Sequence, residues 1–379
     1  LVNLPWYVKQ LRRIDTPVAL SYTAAEVEQL RPQAFRDPES GQVMWIPVRD
    51  YVVHDIIETN RKQAAARPVF FAVTIPRDNM ARYFPFLQME GLAYRLTETR
   101  EGDGMPDTDP DRLLANVLGA YELGSVTTGD DEARHDLFLE MTGSTAERPR
   151  ARLLADVGAA AGAEGGVDWQ PLLELVGHDR DDVYRNPSTE NLLGNYPASI
   201  ARAGFTYLTR AEELRAADGT LADADTLLYD RYTRNATVAY ELALRFDPDN
   251  SLVAAGYYPA LLVEQGRPDS ALRYMSRIRG RFTPDVEETA LLAGLRSFVA
   301  LGENDMALAW IERELQLDPR WRLGYEIAFR IHEATGDVGR AAAVADRWRE
   351  VTGRDDPAMR SQLERMRNRG RDQEREGVE

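Results

Sequence analysis

Two folds in series are predicted by this sequence of 379 residues: a small α/β module with a mostly parallel sheet over residues 1–100, followed by an all-α solenoid of helical hairpins. Three observations carry that expectation. Short β-branched and aromatic runs are confined to the first hundred positions. From Asp111 onward the pattern becomes a succession of amphipathic helices broken by Gly, Pro and Asp. Finally, Gly266-Arg-Pro-Asp-Ser-Ala271, Gly302-Glu-Asn-Asp-Met-Ala307 and Gly336-Asp-Val-Gly-Arg-Ala341 align, with starts 36 and then 34 residues apart. That spacing is a tetratricopeptide period.

Within the module, residues 2–4 read as a strand already under way, residues 6–13 as a helix and residues 18–22 as an extended segment. Thr23 and Glu26 have the spacing of a capping box, in which each side chain accepts from the other's backbone amide, so a helix is expected to start there. A loop containing Pro38 and Gly41 precedes a helix over 51–61. The run 69–75 is apolar without alternation, which predicts a strand covered on both faces and hence a mostly parallel sheet. Residues 91–96 read as one further strand. The Gly, Pro and Asp-rich stretch 99–110 is the expected domain boundary.

The second part divides into degenerate helical repeats over 111–250, regular tetratricopeptide repeats over 251–357, and a capping helix with a charged tail over 358–379. Each recurring residue has a physical task. Glycine stops the first helix in a left-handed conformation, and alanine sits where the two helices of a hairpin touch. Proline recurs at Pro248, Pro284, Pro319 and Pro357, where it ends one hairpin and begins the next. Ala236 lies as far before Pro248 as Ala307 does before Pro319, which predicts an earlier repeat ending at Asp247. Its first helix is expected over 196–210, with an insertion around 218–223. Residues 359–366 carry the apolar positions of a capping helix and residues 367–379 read as a solvated tail.

Composition narrows the function classes. The formal net charge of −16 repels a phosphate backbone, so no nucleic-acid partner is expected. Without cysteine there is no thiol chemistry or disulfide. The longest apolar stretch, 69–75, falls far short of the roughly 20 residues of a membrane-spanning helix. The chain opens on Leu1 rather than Met, and upstream sequence is expected.

Candidate chemistry is sparse. His54, His135, His178 and His332 include no pair at metal-ligand spacing, so no metal site is expected. The polar cluster 178–182 reads as a solvated cap. The segment from Asp107 begins like a calcium loop, then places Arg112 where a sharp-turn glycine belongs and Leu118 where a bidentate glutamate belongs. The glycine-rich tract 158–166 lacks the Gly-Lys-Ser/Thr ending of a phosphate cradle and reads as a helix end and linker. No nucleophile elbow is present. No catalytic residue and no cofactor are assigned.

Aromatic residues are more suggestive. Tyr257, Tyr258, Trp310, Trp321, Tyr325 and Trp348 lie within the regular repeats, whose first helices, over 252–265, 287–301 and 322–335, line the groove of such a solenoid. Tyr258 and Tyr325 are the candidate partner-binding residues, since a tyrosine buries its ring against a ligand while its hydroxyl keeps a polar partner. The competing reading is that both fill space between helices. Trp6 and Tyr7 are candidates either for partner contact or for clamping their helix to the sheet.

Three segments carry a family resemblance: Asn3-Leu-Pro-Trp-Tyr-Val-Lys-Gln-Leu11, Arg67-Pro-Val-Phe-Phe-Ala-Val-Thr74 and Met89-Glu-Gly-Leu-Ala-Tyr-Arg-Leu96. With the trailing repeats, this order resembles the extracytoplasmic C-terminal region of the transmembrane-protein-260-like family, polytopic membrane proteins that look like GT-C-type glycosyltransferases and include a protein O-mannosyltransferase. The resemblance implies a missing N-terminal transmembrane half that anchors the chain at the periplasmic face of a bacterial membrane. It implies a non-catalytic role here, with the repeats holding an acceptor or partner protein, because nothing in this chain corresponds to the family's catalytic loop. The alternatives are a soluble tetratricopeptide adaptor with no enzymatic parent, and an enzyme whose active site lies in the α/β module.

Overall fold

The structure, a computed structural model, describes residues 4–13, 18–36, 43–61, 68–76, 80–97, 106–120, 131–142, 167–175, 193–215 and 220–376. It divides into two compact units, Leu1–Val117 and Leu118–Glu379.

The first unit opens with helices α1 (Pro5–Leu11) and α2 (Ala24–Gln29). The Thr23 capping box forms as its spacing requires: Glu26 N–H donates to the threonine hydroxyl and Thr23 N–H to the glutamate. Strands β1 (Gln33–Arg36) and β2 (Val43–Ile46) pair antiparallel on either side of the expected loop, a hairpin the sequence did not predict. Helix α3 (Val48–Arg61) follows, and Val8, Val27 and Val52 bury one residue from each helix in a common core. Helix α1 is therefore held by helices rather than clamped to a sheet, and Trp6 is exposed.

The main sheet contains β3 (Phe70–Ala72), β4 (Leu87–Met89), β5 (Ala93–Leu96) and β6 (Asp107–Thr108) in the order β3-β5-β4-β6. The expected mostly parallel sheet is not what forms: β3–β5 and β4–β5 are antiparallel, and β4–β6 alone is parallel. The cause is local. A tight turn through Gly91, with Glu90 N–H donating to Ala93 O at 3.0 Å, joins β4 to β5, and a parallel connection needs a dozen residues or more. The run 69–75 also differs from expectation. Only three of its residues form a strand, which lies at the end of the sheet order, and burial alternates, with Phe70 51% exposed and Phe71 covered.

The expected boundary also moves. Residues 107–108 are a strand, and Asp109 caps helix α4 (Pro110–Ala115) by accepting from Arg112 N–H, so the first unit runs to Val117. The failed calcium loop is this strand and cap. Residues 1–3, the Pro38 and Gly41 loop, the tracts 158–166 and 178–182, and residues 216–219 of the insertion lie outside the described residues.

In the second unit, α5 (Asp131–Thr142) and α6 (Gln170–Leu175) pack together. Phe138 stacks on Trp169 at 6.1 Å, and the indole N–H donates to Tyr207 Oη at 3.1 Å. Tyr207 belongs to α7 (Asn195–Glu213), which forms a hairpin with α8 (Thr226–Phe246). Asn235 of α8 is fully buried and donates to Val167 O at 2.8 Å, fastening the α6 region to that hairpin.

The next hairpins are α9 (Ser251–Ala255) and α10 (Tyr258–Glu264) with α11 (Pro268–Ile278), then α12 (Pro284–Ala300) with α13 (Asn304–Leu317), then α14 (Arg322–Ala334) with α15 (Val338–Thr352). Helix α16 (Pro357–Glu376) ends the series. Gly266, Gly302 and Gly336 all adopt φ near +70°, and the amide after each reaches back five residues: Arg267 to Leu262, Glu303 to Phe298, Asp337 to His332. These bonds satisfy carbonyls that the helix end orphans. Ala271, Ala307 and Ala341 are fully buried, as a close helix contact demands. Each hairpin's second helix packs against the first helix of the next, and consecutive first helices also touch.

Three expectations fail here. Pro248 and Pro319 stand in the turn before a helix rather than in its first turn, since α9 starts at Ser251 and α14 at Arg322. The helix expected over 252–265 is split, because Gly256 ends α9 and Tyr257 takes a left-handed φ of 58° before Pro259 starts α10. Gly256 must lack a Cβ, since Tyr240 Oη occupies that space. The stretch 367–376, expected as solvated tail, is helical, continuing a face on which Met359, Leu363 and Met366 are buried.

Candidate functional site

Clefts open among the described helices of the second unit. The one formed by first helices of successive hairpins is lined by Gly280, Phe282, Pro284, Glu287 and Glu288 from the start of α12 and its linker, and by Trp321, Arg322, Leu323 and Glu326 from the start of α14. Its volume is about 610 Å3, within the range of about 300–1,000 Å3 common for ligand pockets. Phe282, Pro284, Trp321 and Leu323 supply its apolar surface and Glu287, Glu288 and Glu326 its carboxylates.

Sequence periodicity builds this cleft. Pro284 starts α12, and Glu287 and Glu288 follow it by three and four positions; Arg322 and Leu323 follow Pro319 by the same offsets. The starts of adjacent first helices thus face one space. The sequence reading missed these residues because it ranked tyrosines by type, although their common offset from the recurring proline was visible.

Behind the cleft a polar network holds Trp321 in place. Arg279 lies over its ring at 4.1 Å, donates to Glu314 Oε2 at 2.9 Å and pairs with Asp318 at 3.2 Å. Glu314 is buried and accepts a second bond from Ser276 Oγ, which also accepts from Trp310 Nε1 at 2.7 Å. Trp310 meets Trp321 edge to face at 5.6 Å. A buried carboxylate is retained only with such complete pairing, and this network joins α11, α13 and α14.

The second cleft, about 590 Å3, is polar, lined by Tyr229, Asp230, Arg234, Glu241, Glu264 and Arg267 among others. Arg267 pairs with Glu241, and Arg234 with Asp168. Glu264 is exposed as a residue, yet its carboxylate turns toward Ser297 Oγ at 3.2 Å; desolvation there raises its pKa, and that bond and Arg215 partly oppose the rise. The third, about 370 Å3, lies among α13, α14 and α15, with Ile311, Leu315 and Val344 inside and the Arg347–Glu312 pair at its edge. His332 in its wall is buried, and desolvation lowers its pKa, so the imidazole is neutral at pH 7.

The two tyrosines singled out by type are both interior. Tyr258 is 6% exposed, edge-on to Tyr240 and Tyr274 at 5.9 and 4.9 Å, and its burial and Glu241 raise its pKa. Tyr325 is 1% exposed, donates to Pro319 O at 3.1 Å and packs edge-on to Trp348 at 5.3 Å. Tyr258 fills space between helices, and Tyr325, although buried, also lines the third cleft. Tyr257, the neighbour passed over, is 44% exposed at the strained break between α9 and α10.

In the first unit, His54 shares a 2.9 Å hydrogen bond with the buried Tyr83 hydroxyl, and desolvation, then Arg82, lower its pKa. Buried Glu90 is neutralised by Arg112 at 2.9 Å and Arg95 at 3.3 Å, tying α4 to the sheet. None of these residues lines a cleft described above. Among the described residues no group of three or more His, Asp or Glu could hold a metal ion, and no helix is long and apolar enough to cross a membrane. No protein-family model matches the chain, and a comparison with curated proteins finds no match.

Proposed function

We propose that the hairpins over residues 195–376 form a tetratricopeptide-like solenoid that docks a protein or peptide, and that the chain performs no chemistry of its own. One observation carries this reading: first helices touch in series, so that the starts of neighbouring first helices converge on the cleft between α12 and α14. The period of 36 and 34 residues and the three left-handed glycines support it.

The wider reading is that the chain is the extracytoplasmic, periplasm-facing part of a polytopic GT-C-type membrane glycosyltransferase, a protein O-mannosyltransferase, in which the repeats hold acceptor or partner proteins. The three segments at 3–11, 67–74 and 89–96 that resemble the transmembrane-protein-260-like family support it. The transfer chemistry then belongs to the membrane half.

A photo-reactive amino acid at Leu323 in the cleft, with Leu317 on exposed α13 as control, tests docking in cells. Cross-linked protein is expected from position 323 and not from 317; equal yields at both, or none at 323, would remove the cleft from the argument. The chain supplied with a lipid-linked sugar and acceptor is expected to transfer nothing. Turnover that a point substitution in this chain abolishes would overturn the non-catalytic reading.

A further inference from the structure

We infer that the cleft between α12 and α14 takes a basic, partly apolar segment, one in which arginine or lysine alternates with leucine-like side chains; this rests on the docking function proposed above and names the partner's chemistry. The charge distribution around the cleft is one-sided. Arg322 is committed twice, to Glu326 at 2.8 Å and to Asp356 at 3.6 Å. Arg279 is committed to Glu314 and Asp318. Among the described residues Glu287 accepts only a neutral donor, the Gly280 amide at 2.6 Å, and has no ion-pair partner. Among the described residues Glu288 has no ion-pair partner, and it is exposed. Among the described residues that line it, the cleft therefore presents two unpaired carboxylates, and its one cation, Arg322, is already paired.

The apolar surface selects as strongly as the charge. Phe282, Pro284 and Leu323 lie beside those carboxylates, and a long basic side chain suits that pairing, since its methylene stem covers apolar surface while its head stays at the wet rim. The wall already shows the chemistry in miniature, because the Arg279 guanidinium rests on the Trp321 indole while bonding carboxylates behind it. An acidic segment would bring like charges together across the cleft and would gain nothing from Arg322, which is already paired.

The test uses the full chain and two labelled peptides, one alternating arginine and leucine, the other glutamate and leucine, read by fluorescence anisotropy. The basic peptide is expected to bind at least about tenfold more tightly than the acidic one. Glu288→Lys should weaken it about tenfold, whereas Glu350→Lys, the same charge change at an exposed site on α15, should weaken it less than about twofold. Glu288→Gln, with a smaller loss, serves should the lysine variant misfold. Equal binding of both peptides, or equal losses in the two lysine variants, would reduce the effect to the net charge of −16 and overturn the inference. Failure of the basic peptide to bind, with cross-linking at position 323 intact, overturns the inference and leaves docking standing; loss of both removes both.

Discussion

The first unit and the helical hairpins solve the same problem with contacts of different range. In the hairpins, Gly302 stops α12, Ala307 seats α13 against it, and both lie within one repeat. In the first unit, β3 pairs with β5 across a stretch of chain that holds β4, and β6 reaches back past β5 to lie along β4. Local contacts make a pattern repeat and make it readable; distant contacts leave little trace in neighbouring residues. The same contrast predicts two calorimetric transitions, with substitutions in the hairpins moving one of them.

The largest effect is expected from the two buried tyrosines. Tyr325→Ala and Tyr258→Ala each remove a ring packed among helices, which costs about 3–5 kcal/mol for large aromatic truncations. The transition of the hairpins should fall steeply while that of the first unit holds. A variant that melts normally but loses ligand binding would restore these tyrosines as anchors and break the distinction between type and position.

Ala307→Trp overfills a fully buried helix contact and should cost about 1–3 kcal/mol or more. Because each repeat leans only on its neighbours, hydrogen exchange should rise first in α12, α13 and α14. Uniform loss of protection throughout the chain would show one cooperative body instead of an array.

Glycines give a smaller, signed test. At Gly302, φ is +77° and nothing lies within 4 Å of a built Cβ, so Gly302→Ala pays only for backbone strain, about 1–2 kcal/mol. Gly339 sits in α15 at ordinary helical angles with its nearest neighbour at 3.5 Å, so Gly339→Ala should stabilise by up to about 1 kcal/mol. Shifts of the same sign from chemical denaturation would contradict the assigned roles.

The smallest effect concerns pH. Burial lowers the His332 pKa in the hairpins and, with Arg82, that of His54 in the first unit. Each folded imidazole resists the proton that the unfolded chain accepts. Stability conferred by either group is therefore full above about pH 6.5 and is lost as pH falls from there toward the folded-state pKa. His332→Gln should flatten the acid limb of the hairpin transition alone, and His54→Gln that of the first unit alone. Crossed effects would mean that the two units do not melt separately.

What could be read from residues alone were features closed within a turn or a repeat. The Thr23 capping box, the left-handed glycines, the buried alanines and the proline starts of α12 and α16 each depend on groups a few positions apart. Tertiary structure decided whatever depended on distant partners. It set β3 at the end of the sheet order, paired with β5, and a short turn made β4 and β5 antiparallel neighbours. It split α9 from α10, because Tyr240 of the preceding hairpin fills the space above Gly256. It buried Tyr258 against Tyr240 of the preceding hairpin and Tyr325 against Trp348 of its own second helix, contacts that residue type alone does not show. And it brought Glu288 and Leu323 to one cleft, since positions a repeat apart in sequence become adjacent only when first helices stack.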